Sequence, residues 1–313
     1  MWNIRRYRAE EKEKWDAFVK ESRNSTFLFQ RGYMDYHSDR FKDFSLMAFK
    51  GERLMALLPA NFDEDGCLHS HQGLTYGGWL LPKAHVDGSD LLEIFEASLM
   101  FMREAGMREL DYKAMPYIYC CRPSEEDLYA LYRLGAKETE CNLSAAIDLR
   151  QPVCFNKLRR RLLVKAEKER FTITETHDAE RFMSLVADCL AERHDAHPVH
   201  TAEEIRLLAC RFPENIRMFV AEAEGTYHAG VMIYDTGIVA HAQYIATTAE
   251  GRERNLLTPL FHWLITEGYS TRNYFDFGTC NEDHGRYLNA GLLRQKCSYG
   301  ATGLAYRRYT LTL

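Results

Sequence analysis

The sequence predicts an α/β (α+β) chain of two tandem domains, each a mixed, largely antiparallel sheet flanked by helices. Three observations lead there. The chain has 313 residues, 46% of them hydrophobic, which is ordinary globular composition and enough for two cores. Helix-period stretches alternate with strand-like ones along its length. The same order of elements then occurs twice, in matching spacing.

In the first half a β-rich stretch, "FSLMAFKGERLMALLPANF", precedes "SDLLEIFEASLMFMREAGMRELDYKAMP". Ser89 is placed to cap a helix over 90–105, Gly106 stops it, and "RELDYKA" reads as a strand carrying Asp111. "SEEDLYALYRLGAKETECNLSAAIDL" then gives a helix, Gly135-Ala136 and a strand. A proline and a new helix start near 148–156 set the boundary, giving domains 1–152 and 153–313. The second half opens with the basic helix and strand of "NKLRRRLLVKAEKERFTITET". A β-rich stretch follows, with hairpin breaks at Glu224-Gly225 and Thr236-Gly237. Leu256, Leu257, Leu260, Phe261, Leu264 and Ile265 recur at helical spacing, with Gly268 as the stop and "NYFDFG" as the next strand. A helix from about Gly285 to Lys296, Gly300-Ala301 and a last strand complete the copy. Asp111 to Gly135 and Asp276 to Gly300 span the same 24 positions.

Several function classes fall away. Asp276-Phe277-Gly278 invites a kinase reading, yet the chain has no H-R-D and no G-x-G-x-x-G. No stretch approaches the ~20 apolar residues of a membrane span, and the N-terminus has no apolar signal region. Nine cysteines at irregular spacing, without a C-x-x-C, argue against disulfides or a cysteine zinc site and suggest reduced thiols in a cytoplasm. The net charge of −5 means that any polyanion contact must come from a local patch such as the run Lys157 to Lys168. His194, His197 and His200 stand at spacings of three, but Pro198 breaks any helix there, and no metal is expected. Arg31, Tyr33, His37 and Arg40 read as a packing face with a charged rim.

The order of elements resembles the GNAT acyltransferase fold, and two such domains in one chain resemble the FemAB-like group. Three stretches carry the resemblance. "LRRRLLVKAEKERFTITE" is similar to the group's R-R-x-x-x-K-A-E-K helix, with Arg170 where a glycine often occurs. "LHSHQGLTYGGWL" is similar to its glycine-rich segment in the first domain. "YFDFGTCNEDHGRYLNAGLLRQKCSYGA" is similar to its D-F-G…F-K-x-x-F-G-A element, with Gln295 and Tyr299 in place of the two phenylalanines.

The candidate site follows from the residues and from this resemblance together. Lys296 matches the family lysine, which the resemblance implies stabilises negative charge during acyl transfer; an ordinary surface lysine at a helix end is the alternative. Asp276, at a strand end before Gly278, is either a site residue or the cap of the next turn. "TAEGRERN" precedes a helix, whose free N–H groups suit an anion, so Gly251, Arg252, Arg254 and Asn255 are candidate cofactor contacts. GNAT enzymes hold the coenzyme A pyrophosphate in such a loop, written Q/R-x-x-G-x-G/A; here it has one glycine and an arginine at the second small position, and a solvated charged turn is the alternative. Ser70, His71, Tyr76 and Gly77, with Tyr244 in the second half, are candidate substrate contacts. The resemblance implies transfer of an acyl or aminoacyl group to an amine, on a small molecule or a peptide. The donor is an aminoacyl-tRNA, as in the Fem transferases, or an acyl-CoA. The competing reading is a binding protein that kept the fold and lost turnover.

Overall fold

The computed structural model describes residues 1–313 except Glu167, Asp195 and Ala196, and the side chains of Arg193 and His194. The chain forms two compact units. One comprises Met1–Leu143, Asn281–Tyr287 and Ala305–Leu313, and the other Ser144–Cys280 and Leu288–Leu304.

The first unit contains β1 (Trp2–Arg6), α1 (Lys12–Glu21), α2 (Arg31–Met34), β2 (Leu46–Lys50), β3 (Arg53–Leu58), β4 (Asn61–Phe62), β5 (Cys67–His69), α3 (Gly88–Glu104), β6 (Glu109–Lys113) and α4 (Glu126–Arg133), and β7 (Lys137–Asp148) starts in it. β1, β2 and β3 form an antiparallel sheet. In a second sheet β4 pairs antiparallel with β5, and β5 runs parallel to β6. α3 buries Leu91, Ile94, Phe95, Leu99 and Met102, one apolar stripe of a 3.6-residue period. It starts earlier than expected. Asp87, not Ser89, is its cap: the Asp87 carboxylate accepts from the amides of Ser89 and Asp90, and a carboxylate gains at a helix N-terminus.

The second unit holds α5 (Lys157–Ala166), β8 (Thr172–Thr176), α6 (Ala179–His194), α7 (Ala202–Arg211), β9 (Ile216–Ala223), β10 (Thr226–Asp235), β11 (Val239–Thr247), α8 (Ala249–Glu253), α9 (Leu257–Trp263) and β12 (Tyr274–Thr279). The chain continues through β13 (Asn281–Glu282), β14 (Tyr287–Leu288), α10 (Ala290–Cys297) and β15 (Thr302–Thr312). β9 to β11 form an antiparallel meander whose turns fall at Glu224-Gly225 and Thr236-Gly237, as the sequence indicates, and β8 pairs antiparallel with β9. β11 then runs parallel to β12, and β12 pairs antiparallel with the end of β7. Phe219, Val231, Ile233, Leu260, Phe261 and Phe275 are among the residues of its core. The helix before Lys296 is shorter than expected. Gly285, at φ +86°, lies in the turn between β13 and β14, and α10 starts only after Asn289, whose side chain accepts from the Leu292 amide.

The copies share a further feature. In the first unit His69 on β5 stands opposite Asp111 on β6, and in the second His241 on β11 stands opposite Asp276 on β12, both across a parallel pair. In each copy a helix and a positive-φ glycine then follow, Gly135 after α4 and Gly300 after α10.

Candidate functional site

The D-F-G stretch lies in β12, where side chains alternate between faces. Phe275 and Phe277 both contact Phe261, and Phe277 stacks on Tyr299 with ring centroids 5.6 Å apart. Asp276 points the other way and is fully buried. Its carboxylate accepts from the Ser144 hydroxyl at 2.6 Å and from the Gly278 amide at 3.0 Å, and it lies 2.9 Å from His241 Nδ1. Gly278 has φ +76°, which suits glycine. Asp276 thus closes the turn that ends the strand.

Lys296 reaches that same turn from α10. Its ammonium donates to the carbonyls of Gly278 and Thr279, each at 2.8 Å. The side chain is buried, which corrects the picture of a surface lysine at a helix end. Burial lowers its pKa, while Cys280 and Asp276 act in the opposite direction. The cause of its burial is local: the turn at Gly278 presents two carbonyls inward, and a lysine on the facing helix satisfies both.

A cavity of about 280 Å³ opens beside Lys296 within the second unit. Ile245, Leu257, Phe261, Phe277, Leu292 and Tyr299 supply its apolar wall. Its polar groups come from Arg159, Thr247, Arg252, Asn255, Thr258, Gln295 and Lys296, with Gly251 at the rim of α8. The cavity therefore joins Lys296 to three of the four loop candidates. Arg254 is not among its walls; its guanidinium holds Glu169, Glu250 and the Arg170 carbonyl. Arg252 donates to the Thr247 carbonyl and to Glu192.

The loop amides differ from an open anion cradle. Gly251 N–H donates to the Thr248 hydroxyl at 3.0 Å, and Leu256 N–H donates to the Gly251 carbonyl at 2.9 Å. The amides of Arg252, Arg254 and Asn255 donate to carbonyls within the same loop. Gly251 is required for another reason. A Cβ there would lie 2.1 Å from the His228 carbonyl oxygen, so α8 can pack on β10 only without a side chain at this position. Asn255 turns the chain between α8 and α9 at φ +60°, a conformation asparagine tolerates.

Arg159 is a charged cavity residue that sequence reasoning did not single out. It donates to Ser298 Oγ at 2.7 Å and Thr258 Oγ1 at 3.1 Å, and its guanidinium lies 4.2 Å from the centre of the Tyr299 ring. The signal was present in "LRRRLLVK", but periodicity alone does not say which arginine of a basic run turns inward. Tyr299 contributes a buried hydroxyl on the same side.

The remaining candidates lie elsewhere. Ser70, His71 and Tyr76 are buried within the first unit. Ser70 Oγ accepts from the Lys113 amide at 2.7 Å. His71 stacks on His37, its Nδ1 accepts from the Gly73 amide, and burial holds its pKa well below the usual imidazole value. Gly77 passes so close to Ser70 that a Cβ would lie 1.8 Å from the Ser70 carbonyl oxygen. Close backbone packing thus uses the glycine-rich segment. In the second unit Tyr244 shares a 2.8 Å hydrogen bond with His200 Nδ1, and burial raises its pKa. Neither lines the cavity. The histidine triplet lies partly outside the described residues, since the His194 side chain is among those left out. No helix among the described residues is long and apolar enough to cross a membrane.

An antiparallel meander, a helix that starts beside a cavity and a parallel strand are the elements of the GNAT fold. Residues 155–286 match the family model of the acetyltransferase (GNAT) domain, which spans this cavity's loop and β12. Among solved structures, FemX superposes with a TM-score of 0.70 at 11% identity, over 99% of this chain and 97% of that one. L-PGS from Bacillus licheniformis gives 0.61 at 14% identity, over 98% and 92%. A tandem GNAT protein from the clavulanic acid biosynthesis pathway gives 0.52 at 12% identity, over 100% and 98%. At such identities the likeness is one of fold. Comparison with curated proteins gives no match. The GNAT-domain match supports acyl transfer as the general chemistry.

Proposed function

We propose that the chain is an N-acyltransferase that moves an acyl or aminoacyl group from an activated donor to an amine. The observation that carries this reading is that Lys296 and the Gly251 loop line one cavity with a cationic and an apolar side. The amine nitrogen attacks the donor carbonyl carbon, and a C–N bond forms. Negative charge develops on the carbonyl oxygen, and a desolvated ammonium stabilises it far better than water does. An ammonium has three N–H donors. Two of those of Lys296 hold the turn at Gly278, and the third is the one assigned to the oxyanion. Collapse breaks the bond to the leaving group, which takes the proton lost by the amine.

Two observations favour an aminoacyl-tRNA over an acyl-CoA as donor. The Gly251 amide, which a pyrophosphate would need, is engaged by Thr248. Lys157, Arg160, Arg161, Lys165 and Lys168 are exposed on and just after α5, while Arg159 of the same helix faces the cavity. A cationic stripe suits a polyanionic donor. The reading of a binding protein without turnover draws on a different fact: two of the three Lys296 protons are already spent on backbone carbonyls.

One experiment separates these. The protein is incubated with charged tRNA or with a panel of acyl-CoAs, with and without amine acceptors, and both melting temperature and amide formation are followed. Acyl transfer from charged tRNA is the expected result. Stabilisation by a donor without amide formation across acceptors would establish the binding protein, since ligand stabilisation follows mass action alone. Transfer from acyl-CoA only would overturn the choice of donor.

A further inference from the structure

The first unit carries a cluster that the acyl-transfer site does not use. The sequence "DEDGCLH" places Asp63, Cys67 and His69 at a turn leading into β5. The turn folds back on itself: the Cys67 amide donates to Asp63 Oδ1 at 2.8 Å, and the Asp63 amide donates to the Cys67 carbonyl at 3.2 Å. This leaves Asp63 Oδ2 turned towards His69 Nε2, 2.6 Å away. One ligand atom from each of the three residues lies within 4.8 Å of the others. The parallel register adds a fourth group, because Cys67 stands opposite Glu109 on β6 and its sulfur lies 3.8 Å from Glu109 Oε1.

We propose that Asp63, Cys67, His69 and Glu109 form a binding site for a borderline divalent cation of the zinc class. The donors are one thiolate, one imidazole and two carboxylates, a set that suits a tetrahedral ion. At Zn–S of ~2.3 Å and Zn–O of ~2.0 Å, a tetrahedral pair of sulfur and oxygen ligands stands about 3.5 Å apart. The Cys67–Glu109 separation is close to that. The Asp63–His69 pair has to open by less than ~1 Å to admit the ion on the same geometry.

The surroundings of His69 are what a metal-bound imidazole needs. With Nε2 on the ion, Nδ1–H donates to Asp111 Oδ2 at 2.6 Å, which fixes the tautomer and the ring plane. Asp111 in turn accepts from Arg308 Nε and Nη2, at 2.5 and 2.6 Å. The second copy of the fold serves as an internal contrast. His241 and Asp276 repeat the histidine–aspartate pair, but Val239 and Tyr274 stand two residues before them, where the first copy has Cys67 and Glu109. The extra donors thus belong to the first copy alone. In this role the ion ties the β4–β5 hairpin to β6, a structural function separate from acyl transfer.

The test uses the full chain, stripped with chelator and titrated with Co²⁺ and then Zn²⁺. One equivalent of Co²⁺ should give the visible bands of a tetrahedral ion together with a sulfur-to-cobalt charge-transfer band, and Zn²⁺ should displace it and raise the melting temperature. Cys67→Ser should abolish the charge-transfer band. Asp111→Asn, which takes the carboxylate from His69 Nδ1 and also breaks the ion pair with Arg308, should weaken binding by ~10–100-fold under conditions where the variant is folded. Asp63 is part-exposed, so Asp63→Asn serves if Cys67→Ser does not fold, and it should also weaken binding. No tetrahedral cobalt spectrum, or one unchanged in Cys67→Ser and in Asp63→Asn, would overturn the site. In that event a proton, rather than a metal ion, holds Asp63 and His69 together.

Discussion

Lys296 shows how a residue can be legible in type and not in setting. Its place after "NAGLLRQ" and before Tyr299 pointed to it, but only the structure places it indoors, on two backbone carbonyls. That changes what its removal should do. Lys296→Met leaves the Gly278 and Thr279 carbonyls without their donor, at a cost of ~1–3 kcal/mol, instead of the negligible cost of an exposed site. If the ammonium also holds an oxyanion, turnover should fall by a further ~10²–10³-fold at temperatures where the variant is folded. Denaturant unfolding and amide-formation rates measure the two separately; a stability loss with unchanged turnover would make the lysine purely structural. Asp127, a residue no motif flagged, yields a pH prediction. It is buried, accepts from Tyr112 OH at 2.8 Å and from the Leu128 amide, and burial raises its pKa to about 6. A carboxyl whose folded pKa exceeds its unfolded value keeps its proton longer in the native state. Stability should therefore fall as pH rises from about 4 through about 6, by ~3 kcal/mol, and then level off. Asp127→Asn should remove that slope in urea titrations run across the window, whatever it does to absolute stability.

At the scale of elements, the strands and turns were readable and the helix ends less so. The turns at Gly225 and Gly237 and the alternation in "YFDFG" depend on local chemistry, which sequence displays directly. α3 began earlier and α10 later than periodicity suggested, because a cap is decided by one side chain reaching one amide, Asp87 in the first case and Asn289 in the second. The loop around Gly251 lines the cavity. Its amides serve the turn itself, a choice settled by Thr248, which a glycine-centred motif does not weigh. α5 gives the test at this level. Its basic run divides into Arg159, which faces the cavity, and Arg160 and Arg161, which are exposed. Replacing Arg160 and Arg161 by glutamine should leave folding intact and weaken binding of charged tRNA. The slope of log affinity against log salt should drop by about 1 to 2, as expected when one or two phosphate contacts are lost. Binding with an unaltered slope would remove α5 from the donor surface.

At the scale of the whole molecule the chain does not simply form one unit and then the next. Residues 281–287 and 305–313 belong to the first unit although they follow the second in sequence. β15 pairs with β6 from Arg308 opposite Lys113 to Thr312 opposite Glu109. Leu311 sits in the first unit's core with Leu110 and Tyr112, Tyr306 meets Tyr119 hydroxyl to hydroxyl at 3.0 Å, and Arg308 neutralises Asp111. Local periodicity could not show this, since a strand's own residues do not say which partner it pairs with. The consequence can be measured on two fragments, 1–152 and 153–313. Fragment 1–152 lacks the last strand of its own sheet. It loses five paired positions and a buried leucine, and it leaves Asp111 without Arg308. Burial of a leucine alone is worth ~1.5–3 kcal/mol, and leaving the buried Asp111 carboxylate without its part-exposed partner costs up to ~3–5 kcal/mol. Their sum rivals the ~5–15 kcal/mol that holds a typical domain folded. Fragment 1–152 should therefore show no sharp urea transition by itself and should gain one when 153–313 is supplied in trans. A cooperative transition of 1–152 alone, at the denaturant midpoint of the intact chain, would show that the returning strand is dispensable.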